Sequence, residues 1–217
     1  MRIQRSLLAC ALLLIVIAVT GAIESSAGDR QLPQFGRDTV LVWKIQNMDY
    51  ESSFVVRIAD FLPDRFLEWE DEQSQGTIFM PNRDILEAKG FVNSNLFNSG
   101  VDSKSKNATT LWLSQQAYRD LKTKKKAKIQ LDGVTSLMEY VGDDQLAVEV
   151  NRSSMNLPVI KVKDDRGSER WFLDSEDNPL MLRHLIRKYD QTLASVTTDQ
   201  PNTLRWIKGK KLANMSR

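Results

Sequence analysis

Acidic side chains form the densest group of residues that could perform chemistry in this chain. Four carboxylates surround Trp69 within five positions, namely Glu68, Glu70, Asp71 and Glu72. In a β-strand, Glu68, Glu70 and Glu72 would share a face, because successive side chains alternate between the two faces. A solvated strand edge is one interpretation, since charges at an edge hinder aggregation. The functional alternative is a carbohydrate or cation site made by Trp69 with these acids, and a pair of carboxylates would also suit glycosidic hydrolysis.

The single histidine offers little reactivity. His184 lies between Arg183 and Leu185, with Arg187 and Lys188 close behind. Neighbouring positive charge disfavours protonation of an imidazole. One histidine excludes paired-histidine metal motifs such as H-E-x-x-H, and the sequence contains no G-x-S-x-G motif that would indicate a serine nucleophile. We therefore predict a structural or surface histidine.

A second acidic group has only a superficial likeness to a calcium-binding loop. Asp174, Glu176 and Asp177 follow a predicted strand, but they lack the D-x-[DN]-x-[DN]-G spacing. We predict a turn at these residues. The sequence also contains no glycine-rich phosphate loop, and we expect neither a metal nor a cofactor.

The first 27 residues have the pattern of an export signal. Arg2 and Arg5 supply positive charge, residues 7–23 are almost all apolar or small, and residues 25–27 are small. Two alternatives stay open. Cys10 lies in a sequence like that of a lipid-modified cysteine, although the apolar stretch continues beyond it. The apolar stretch of 17 residues, roughly 25 Å as a helix, is also marginally long enough to remain as an anchor in a bilayer core of about 30 Å.

The export signal limits the chemistry that follows it. All three interpretations place the chain from residue 30 onward outside the cytoplasm, so we predict a periplasmic or extracellular bacterial protein. Membrane contact is expected through residues 7–23 if that segment is not cleaved. Cys10 is the one cysteine of the chain, so the exported body lacks a thiol nucleophile, Cys-ligated zinc and iron–sulfur clusters. A domain without disulfides depends on its hydrophobic core.

Charge is unevenly distributed along the chain. The net charge of +2 comes from 30 basic and 28 acidic residues, but residues 28–202 alone carry −4. The last 15 residues contain no acid and form a basic tail, which includes Arg205, Trp206, Lys208, Lys210 and Lys211. A second basic run covers residues 122–128. Solvated surface accounts for both runs, and contact with an anionic surface such as lipid headgroups is the alternative, because an indole suits an interface. The acidic body and the missing binding motifs argue against nucleic acid.

Strand patterns dominate the elements that must position these residues. β-Branched and aromatic residues predict strands at 39–45 and 54–58. A series of short strands joined by turns follows, at 127–131, 135–141, 145–150, 157–163 and 169–173. The predicted turns are Asp132-Gly133, then 142–144, then 164–167. Such a series predicts an antiparallel meander.

Helices are the minority. Residues 81–89 and 114–121 have helical end signals, with Gly90 as the stop of the first and Ser114 as the N-cap of the second. Residues 179–196 fit either a helix or a pair of strands with a turn near 188–191, and we favour the strands. The fold class is thus α+β but mainly β, a meander forming a curved sheet or half-barrel with one or two short helices.

The remaining sequence completes the domain plan. Residues 1–27 form the signal or anchor, 28–37 a tether, 38–200 a single β-rich domain and 201–217 the basic tail. The polar stretch 94–107 is predicted to be a mobile loop. Four of the five tryptophans lie in strand-like segments and are expected in the core or on a concave ligand-binding face, namely Trp43, Trp69, Trp112 and Trp171.

The C-terminal part of the body resembles a known kind of domain. Residues 157–160 (LPVI), a hairpin through Gly167, residues 171–174 (WFLD) and residues 178–180 (NPL) are similar to the C-terminal part of uncharacterised exported bacterial β-rich domains. A fainter similarity links residues 157–198 to the curved sheets of LolA-type lipoprotein carriers. The resemblance implies a strand, an acidic turn, a Pro-Leu pair and a closing strand, and it implies no catalytic residue.

Three functional hypotheses follow. The leading one is a non-enzymatic binding or structural domain of the bacterial cell envelope, whose partner is an envelope component, a lipid or a glycan. The second is a carrier of a lipid or other apolar ligand, which requires an apolar cavity of roughly 300 Å³ or more. The third is a hydrolase that uses carboxylates alone, from Glu68, Glu70 and Glu72.

Overall fold

A computed structural model describes residues 32–93 and 95–198 of the chain. The predicted signal or anchor with Cys10, the first part of the tether and the basic tail with Arg205, Trp206, Lys208, Lys210 and Lys211 lie outside these residues. Thirteen strands and two helices occur in the described part. They are β1 (Val40–Asn47), β2 (Tyr50–Asp60), β3 (Arg65–Glu70), β4 (Gln75–Met80), α1 (Asn82–Glu87), β5 (Gly90–Phe91), β6 (Asp102–Lys104), β7 (Ala108–Thr109), α2 (Gln115–Lys124), β8 (Lys126–Leu131), β9 (Val134–Val150), β10 (Ser153–Asp164), β11 (Glu169–Leu173), β12 (Met181–Ile186) and β13 (Tyr189–Thr197).

All these strands belong to one curved mixed sheet. Their order is β6-β4-β3-β2-β1-β13-β12-β11-β10-β9-β8-β5-β7. Strands β8 to β13 form the predicted meander, with antiparallel pairing between successive members. β13 also pairs in parallel with β9 at Ser195–Glu149 and Val196–Val150, so that β9 to β13 make a partial ring. The mainly β, α+β class predicted from the sequence is confirmed.

Two predicted hairpins form as expected. Asp132 and Gly133 both have positive φ, 47° and 82°, which suits a two-residue turn between β8 and β9. The ambiguous segment 179–196 is a strand pair, and Arg187 with φ 52° makes its turn. The tight turn forms at residues 187–188, slightly before the position expected from the sequence.

A predicted turn at residues 142–144 is wrong. β9 runs through this point, and the register shifts there, because Gly142 pairs with Lys161 while Tyr140 pairs with Val162. Val141 is therefore the extra residue of a β-bulge, which bends a strand without ending it. Turn-forming residues mark the irregularity correctly, but the long partner strand β10 continues the pairing across it.

The helices begin where predicted but end differently. Ser114 caps α2, since its Oγ accepts a hydrogen bond from the backbone N–H of Ala117 at 3.2 Å. α2 continues to Lys124, three residues beyond the expected end. α1 ends at Glu87, and Gly90 does not stop it but begins β5. A Cβ on Gly90 would lie 3.0 Å from the Cβ of Ala108, so the absent side chain permits β5 to approach β7.

The polar stretch 94–107 is not a loose loop in its described part. Residues 102–104 form β6, parallel to β4. Backbone bonds from Gly100 N to Gln75 O (2.8 Å) and from Ser105 N to Phe79 O (2.9 Å) fasten the stretch to β4. It therefore forms one edge of the sheet, close to Trp69.

The buried hydrophobic residues form one continuous core cluster. The predicted core tryptophans Trp43, Trp69, Trp112 and Trp171 are all buried, as expected for side chains of large apolar area. Trp112 lies between β7 and α2 rather than in a strand as predicted. Leu32 and Phe35, from the end of the predicted tether, pack against this core. The packing leaves two cavities that reach buried polar groups, one beside Trp69 and one beside Arg65.

Candidate functional site

The acidic group around Trp69 is divided by the strand that carries it. Glu68 is almost entirely buried on one face of β3, whereas Trp69 is buried on the other. Glu70 is half-buried, and Glu72 lies beyond the strand and accepts a hydrogen bond from Tyr50 Oη at 2.8 Å. The structure therefore does not bring Trp69 together with Glu68.

Glu68 has a structural role. It forms an ion pair with Arg57 of β2, and Arg57 also binds Asp38. Burial raises the pKa of Glu68, and Arg57 opposes that rise. β3 lies between β2 and β4, so the interpretation of these acids as a solvated strand edge is wrong for Glu68.

Of the predicted site residues that the structure describes, Trp69 is the one that lines an aromatic cavity. A cleft of about 270 Å³ opens beside it, lined by residues of β1–β3, β12 and β13 and by residues 91–93, 97 and 110–111. We call it the Trp69 cleft. Its aromatic walls are Phe54, Trp69, Phe91, Phe97 and Tyr189, and its aliphatic walls include Ile45, Leu111 and Met181.

Three of the aromatic side chains are locked together. The ring centroids of Phe54 and Phe97 are 5.0 Å apart, and those of Trp69 and Phe97 are 5.4 Å apart, both edge to face. Phe54 also tilts against Trp69 at 6.1 Å. Edge-to-face pairs at these distances are favourable beyond their buried area, so the aromatic wall is preformed.

An unusual backbone turn shapes the opposite wall. Leu111 has φ 59°, and the N–H of Trp112 donates to the carbonyl of Thr110 at 2.7 Å. This is a γ-turn of the strained, positive-φ kind. It is held from outside, because Met181 N donates to Leu111 O at 2.6 Å. Strained backbone of this sort clusters at ligand sites, and here it presents Thr110 and Leu111 to the cleft.

Three residues lining the Trp69 cleft have buried polar atoms without a partner in the described part of the chain. These atoms are Trp69 Nε1, Asn93 Oδ1 and Thr110 Oγ1. Asn93 is oriented by Asp132, which accepts its side-chain amide at 2.6 Å and its backbone N–H at 2.8 Å. A buried polar atom without a partner costs about 1–3 kcal/mol. The three residues line one cavity, and a ligand there could supply the missing bonds if their side chains turn toward it, because the three atoms are shielded from solvent.

The Trp69 cleft does not offer a pair of acids. Among its lining residues, Asp71 is the one with a carboxyl group. Its Oδ1 accepts the backbone N–H groups of Gln73 (2.9 Å) and Ser74 (2.6 Å), which fixes it as the organiser of a turn. Glycosidic hydrolysis of the usual kind needs two carboxylates on either side of a bond, and the Trp69 cleft does not have this arrangement.

Glu72 lies in a different surface depression. This polar pocket of about 390 Å³ also includes Glu51, Lys44 and Asp190. Its lining is mixed in charge and carries no aromatic ring, unlike the Trp69 cleft. The predicted site residues are therefore distributed over two surfaces and the interior of the sheet.

His184 is structural, as predicted. It is buried, and its Nε2 shares a hydrogen bond of 2.8 Å with Ser168 Oγ. Burial lowers the pKa of His184 to about 4, and the positive charge of Arg170 adds to the decrease. The cationic neighbour is thus Arg170 of β11 rather than one of the basic residues adjacent in sequence.

The acidic residues 174–177 form the predicted turn and bind basic side chains of α2. Arg119 pairs with Glu176 at 2.8 Å, and Lys122 pairs with Asp174 at 3.0 Å. In residues 32–93 and 95–198, no group of histidine, cysteine or acidic side chains has a metal-binding arrangement. These ion pairs connect α2 to the turn that follows β11.

Two lysines of the basic run at residues 122–128 form ion pairs within the fold, and a third contacts an aromatic ring. Lys122 also pairs with Asp143 at 3.2 Å, Lys124 pairs with Asp120 at 2.9 Å, and Lys125 Nζ lies 3.9 Å from the ring centroid of Tyr140. These contacts favour the interpretation as helix-end surface. Among the described residues, no helix is long and apolar enough to cross a membrane.

Sequence reasoning missed Asn93, Phe97 and Thr110. One usable signal was Phe97, an aromatic residue inside an otherwise polar stretch. Asn93 and Thr110 had no signal of their own, because their unpaired atoms depend on contacts with Asp132 and on the turn at Leu111.

Comparisons with protein-family models, with curated proteins and with solved structures give no match to this chain. The function is therefore inferred from the geometry of the cleft.

Proposed function

We propose that this protein is a non-enzymatic binding protein of the bacterial cell envelope, and that it holds a compact ligand in the Trp69 cleft. The observation that carries the proposal is an aromatic cavity whose lining includes three residues with unpaired buried polar atoms. Trp69 Nε1 can donate a hydrogen bond, Asn93 Oδ1 can accept one, and the Thr110 hydroxyl can do either. The envelope location is supported by the signal-like residues 1–27.

The size and polarity of the cleft indicate the ligand class. About 270 Å³ lies just below the range of roughly 300–1,000 Å³ for small-molecule pockets, so the ligand must be small. The aromatic walls suit a ring with an apolar face, and the unpaired atoms suit hydroxyl or carbonyl groups on its edge. We therefore favour a single sugar unit of an envelope glycan over a long acyl chain.

The two alternative functions are less well supported in the Trp69 cleft. A lipid carrier was expected to need roughly 300 Å³ or more of apolar cavity, and the Trp69 cleft is smaller and carries polar atoms. The mostly apolar cavity beside Arg65, of about 400 Å³, does reach that size. A carboxylate hydrolase would need a second acid beside Asp71 in this cleft. Glu68 does not supply it, because its side chain faces the other side of β3.

Native mass spectrometry of the full chain, purified from its own envelope, tests the proposal. We expect an added mass that corresponds to a small hydroxylated molecule. Thr110→Val and Trp69→Phe should each reduce its occupancy, because each removes one hydrogen-bonding atom; Trp69→Phe also removes part of the aromatic wall, a change of size that Trp171→Phe reproduces. Trp171→Phe is the matched control, since Trp171 is buried outside the cleft and should leave the added mass unchanged.

Two results would overturn the proposal. One is a wild-type protein that carries no added mass and shows no tryptophan fluorescence change with a panel of envelope sugars. The other is an added mass that persists equally in both cleft variants, because the ligand would then lie elsewhere.

A further inference from the structure

Arg65 is a buried cation whose charge is not balanced by the described protein. It is only 1% exposed, and among residues 32–93 and 95–198 it has no carboxylate within 4 Å. Its Nη2 donates to the backbone carbonyl of Asp177 at 3.1 Å, whereas Nε and Nη1 have no hydrogen-bond partner there. The other two buried arginines differ, since Arg57 pairs with Glu68 and Arg170 pairs with Asp164.

Two aromatic rings contact the Arg65 guanidinium. The Cζ atom lies 4.7 Å from the ring centroid of Phe61 and 4.7 Å from that of Trp112. These cation–π contacts stabilise the charge but leave the hydrogen-bonding directions in the plane of the group. Only an acceptor that approaches the edge of the guanidinium can satisfy Nε and Nη1.

A second cavity lies beside Arg65, and an acceptor in it would reach Nε and Nη1 after a small displacement of the side chains that shield these two atoms from solvent. The cavity has a volume of about 400 Å³ and includes Arg65 in its lining. We call it the Arg65 pocket. Its other walls are mostly apolar, and include Leu32, Phe35, Phe61, Leu62, Ile85 and Leu173. Leu62 is 72% exposed, so the rim also presents apolar surface to solvent.

We propose that the Arg65 pocket binds a small monocarboxylate with an apolar body, such as a medium-chain fatty acid. The planar fork of a guanidinium matches a carboxylate with two parallel hydrogen bonds. The apolar walls would contact the hydrocarbon part of the ligand. This site is separate from the Trp69 cleft, because the two cavities share no lining residue.

A single negative charge fits the pocket better than a double one. Arg65 is the one cationic side chain in the lining, and the carboxyl-bearing residue Asp177 lies there as well. A phosphate dianion would face Asp177 with only one guanidinium to balance it. A monocarboxylate would instead neutralise Arg65 without excess charge.

The electrostatics of Arg65 are consistent with a missing anion. Burial lowers the pKa of Arg65 to about 9 from its ordinary 12.5. The group is still protonated at pH 7, so the fold holds a desolvated positive charge. An unpaired buried charge is unfavourable, and a bound carboxylate would relieve that cost.

Titration of the full-length chain with sodium decanoate tests the proposal. Binding is followed by the ¹⁵N–¹H signal of the arginine Nε–H groups and by isothermal calorimetry, with decanol as the uncharged comparison. Decanoate should shift one arginine Nε–H signal, which Arg65→Lys removes. Decanol cannot form the charged hydrogen bonds, so the wild type should bind it about tenfold to a hundredfold more weakly than decanoate. Arg65→Met should bind decanoate more weakly than the wild type does by a similar factor.

Two control variants are needed. One tests whether decanoate binds in the Trp69 cleft instead, and the other tests whether an acidic side chain of the same chain already pairs with Arg65. Thr110→Val alters the Trp69 cleft and should leave decanoate affinity unchanged, so failure of one site is distinguishable from failure of the other. Asp29 lies outside the described residues and is the nearest acidic residue before Leu32. Asp29→Asn should also leave the decanoate affinity unchanged.

Several results would overturn the proposal. It fails if decanoate moves no arginine signal, if decanol binds as tightly as decanoate, or if Arg65→Met retains wild-type affinity while circular dichroism shows an intact sheet. The proposal also fails if Asp29→Asn shifts the Arg65 signal without ligand and binds decanoate more tightly than the wild type. That result would mean that the Asp29 carboxylate is the natural partner of Arg65. Arg65→Lys provides a second, charge-retaining variant if Arg65→Met does not fold.

Discussion

Arg170 Nη1 donates to Oδ2 of Asp164 at 2.8 Å, and the two side chains are only 3% and 2% exposed. The other oxygen of Asp164 accepts the backbone N–H groups of Arg166 at 3.0 Å and Ser168 at 2.9 Å. One carboxylate thus closes the turn between β10 and β11 and neutralises a buried cation. The pair contrasts with Arg65, which is equally buried but has no carboxylate within reach among the described residues.

This contrast predicts different costs for the same substitution. Arg170→Met leaves Asp164 buried and unpaired, so we expect a loss of about 3–5 kcal/mol in the free energy of unfolding. Arg65→Met removes two cation–π contacts and one hydrogen bond but also an unbalanced charge, so we expect a loss below about 2 kcal/mol. Urea unfolding monitored by circular dichroism measures both. Equal losses would show that Arg65 is as well compensated as Arg170.

The unpaired hydroxyl of Thr110 should lower the stability of the ligand-free protein, although we propose that it contributes to ligand binding. Thr110→Val preserves the side-chain shape and removes a buried Oγ1 without a partner, so we expect a gain of about 1 kcal/mol without ligand. Thermal unfolding of ligand-free protein measures this gain. The matched control is Thr77→Val, because Thr77 is also buried but donates to Asp102 Oδ1 at 2.6 Å. That variant should lose about 2 kcal/mol, and a loss in Thr110→Val as well would mean that its hydroxyl is satisfied.

The elements that the sequence predicts well are those determined by neighbouring residues. Asp132 and Gly133 tolerate positive φ, so their hairpin depends on local chemistry alone. The bulge at Val141 cannot be predicted from local chemistry alone, because turn-like residues at 142–144 are consistent with either a turn or a bulge. The partner strand β10, which pairs on both sides of the irregularity, decides between them.

The candidate site divides in the same way. Trp69 was found because an indole among acids is visible in the sequence, but strand alternation then places Glu68 on the opposite face. The role of Thr110 depends on the γ-turn at Leu111, which is held by Met181, 70 positions further along the chain. Such long-range hydrogen bonds leave no local pattern, so Thr110 and Asn93 could not be predicted.

Gly76 is predicted to be essential for the position of Trp69. A Cβ at this site would lie 2.8 Å from Trp69 Nε1 and 3.0 Å from the carbonyl oxygen of Asn98. The backbone oxygen cannot move easily, so Gly76→Ala should displace the indole and cost about 1–3 kcal/mol. Near-ultraviolet circular dichroism reports the indole environment, and chemical unfolding reports the cost.

Gly142→Ala is the matched control for that substitution. Gly142 also lies in a strand, but a Cβ there would meet nothing within 4 Å. We expect its stability to stay within about 0.5 kcal/mol of the wild type. If Gly76→Ala proved equally neutral, the close packing of Trp69 against β4 would not constrain the cleft.

His184 is expected to make stability depend on pH. Its pKa is lowered to about 4 in the folded chain by burial and by Arg170, whereas an unfolded histidine has a pKa near 6.5. Between these values the unfolded state binds a proton that the folded state does not, so stability falls as pH decreases from about 6.5 to 4 and is unaffected above that window. The shift corresponds to about 3 kcal/mol at the acidic end.

A variant isolates this contribution from the carboxylates that titrate at lower pH. His184→Gln can still accept a hydrogen bond from Ser168, which lies 2.8 Å from Nε2 in the wild type, but it does not titrate. Urea unfolding at pH 7, 6, 5 and 4 should therefore show a smaller loss of stability in His184→Gln than in the wild type. Ser168→Ala retains the imidazole and should keep most of the wild-type slope. Parallel curves for wild type and His184→Gln would mean that the imidazole is protonated inside the fold, because Asp164 and Asp190, which favour the charged form, would then outweigh burial and Arg170.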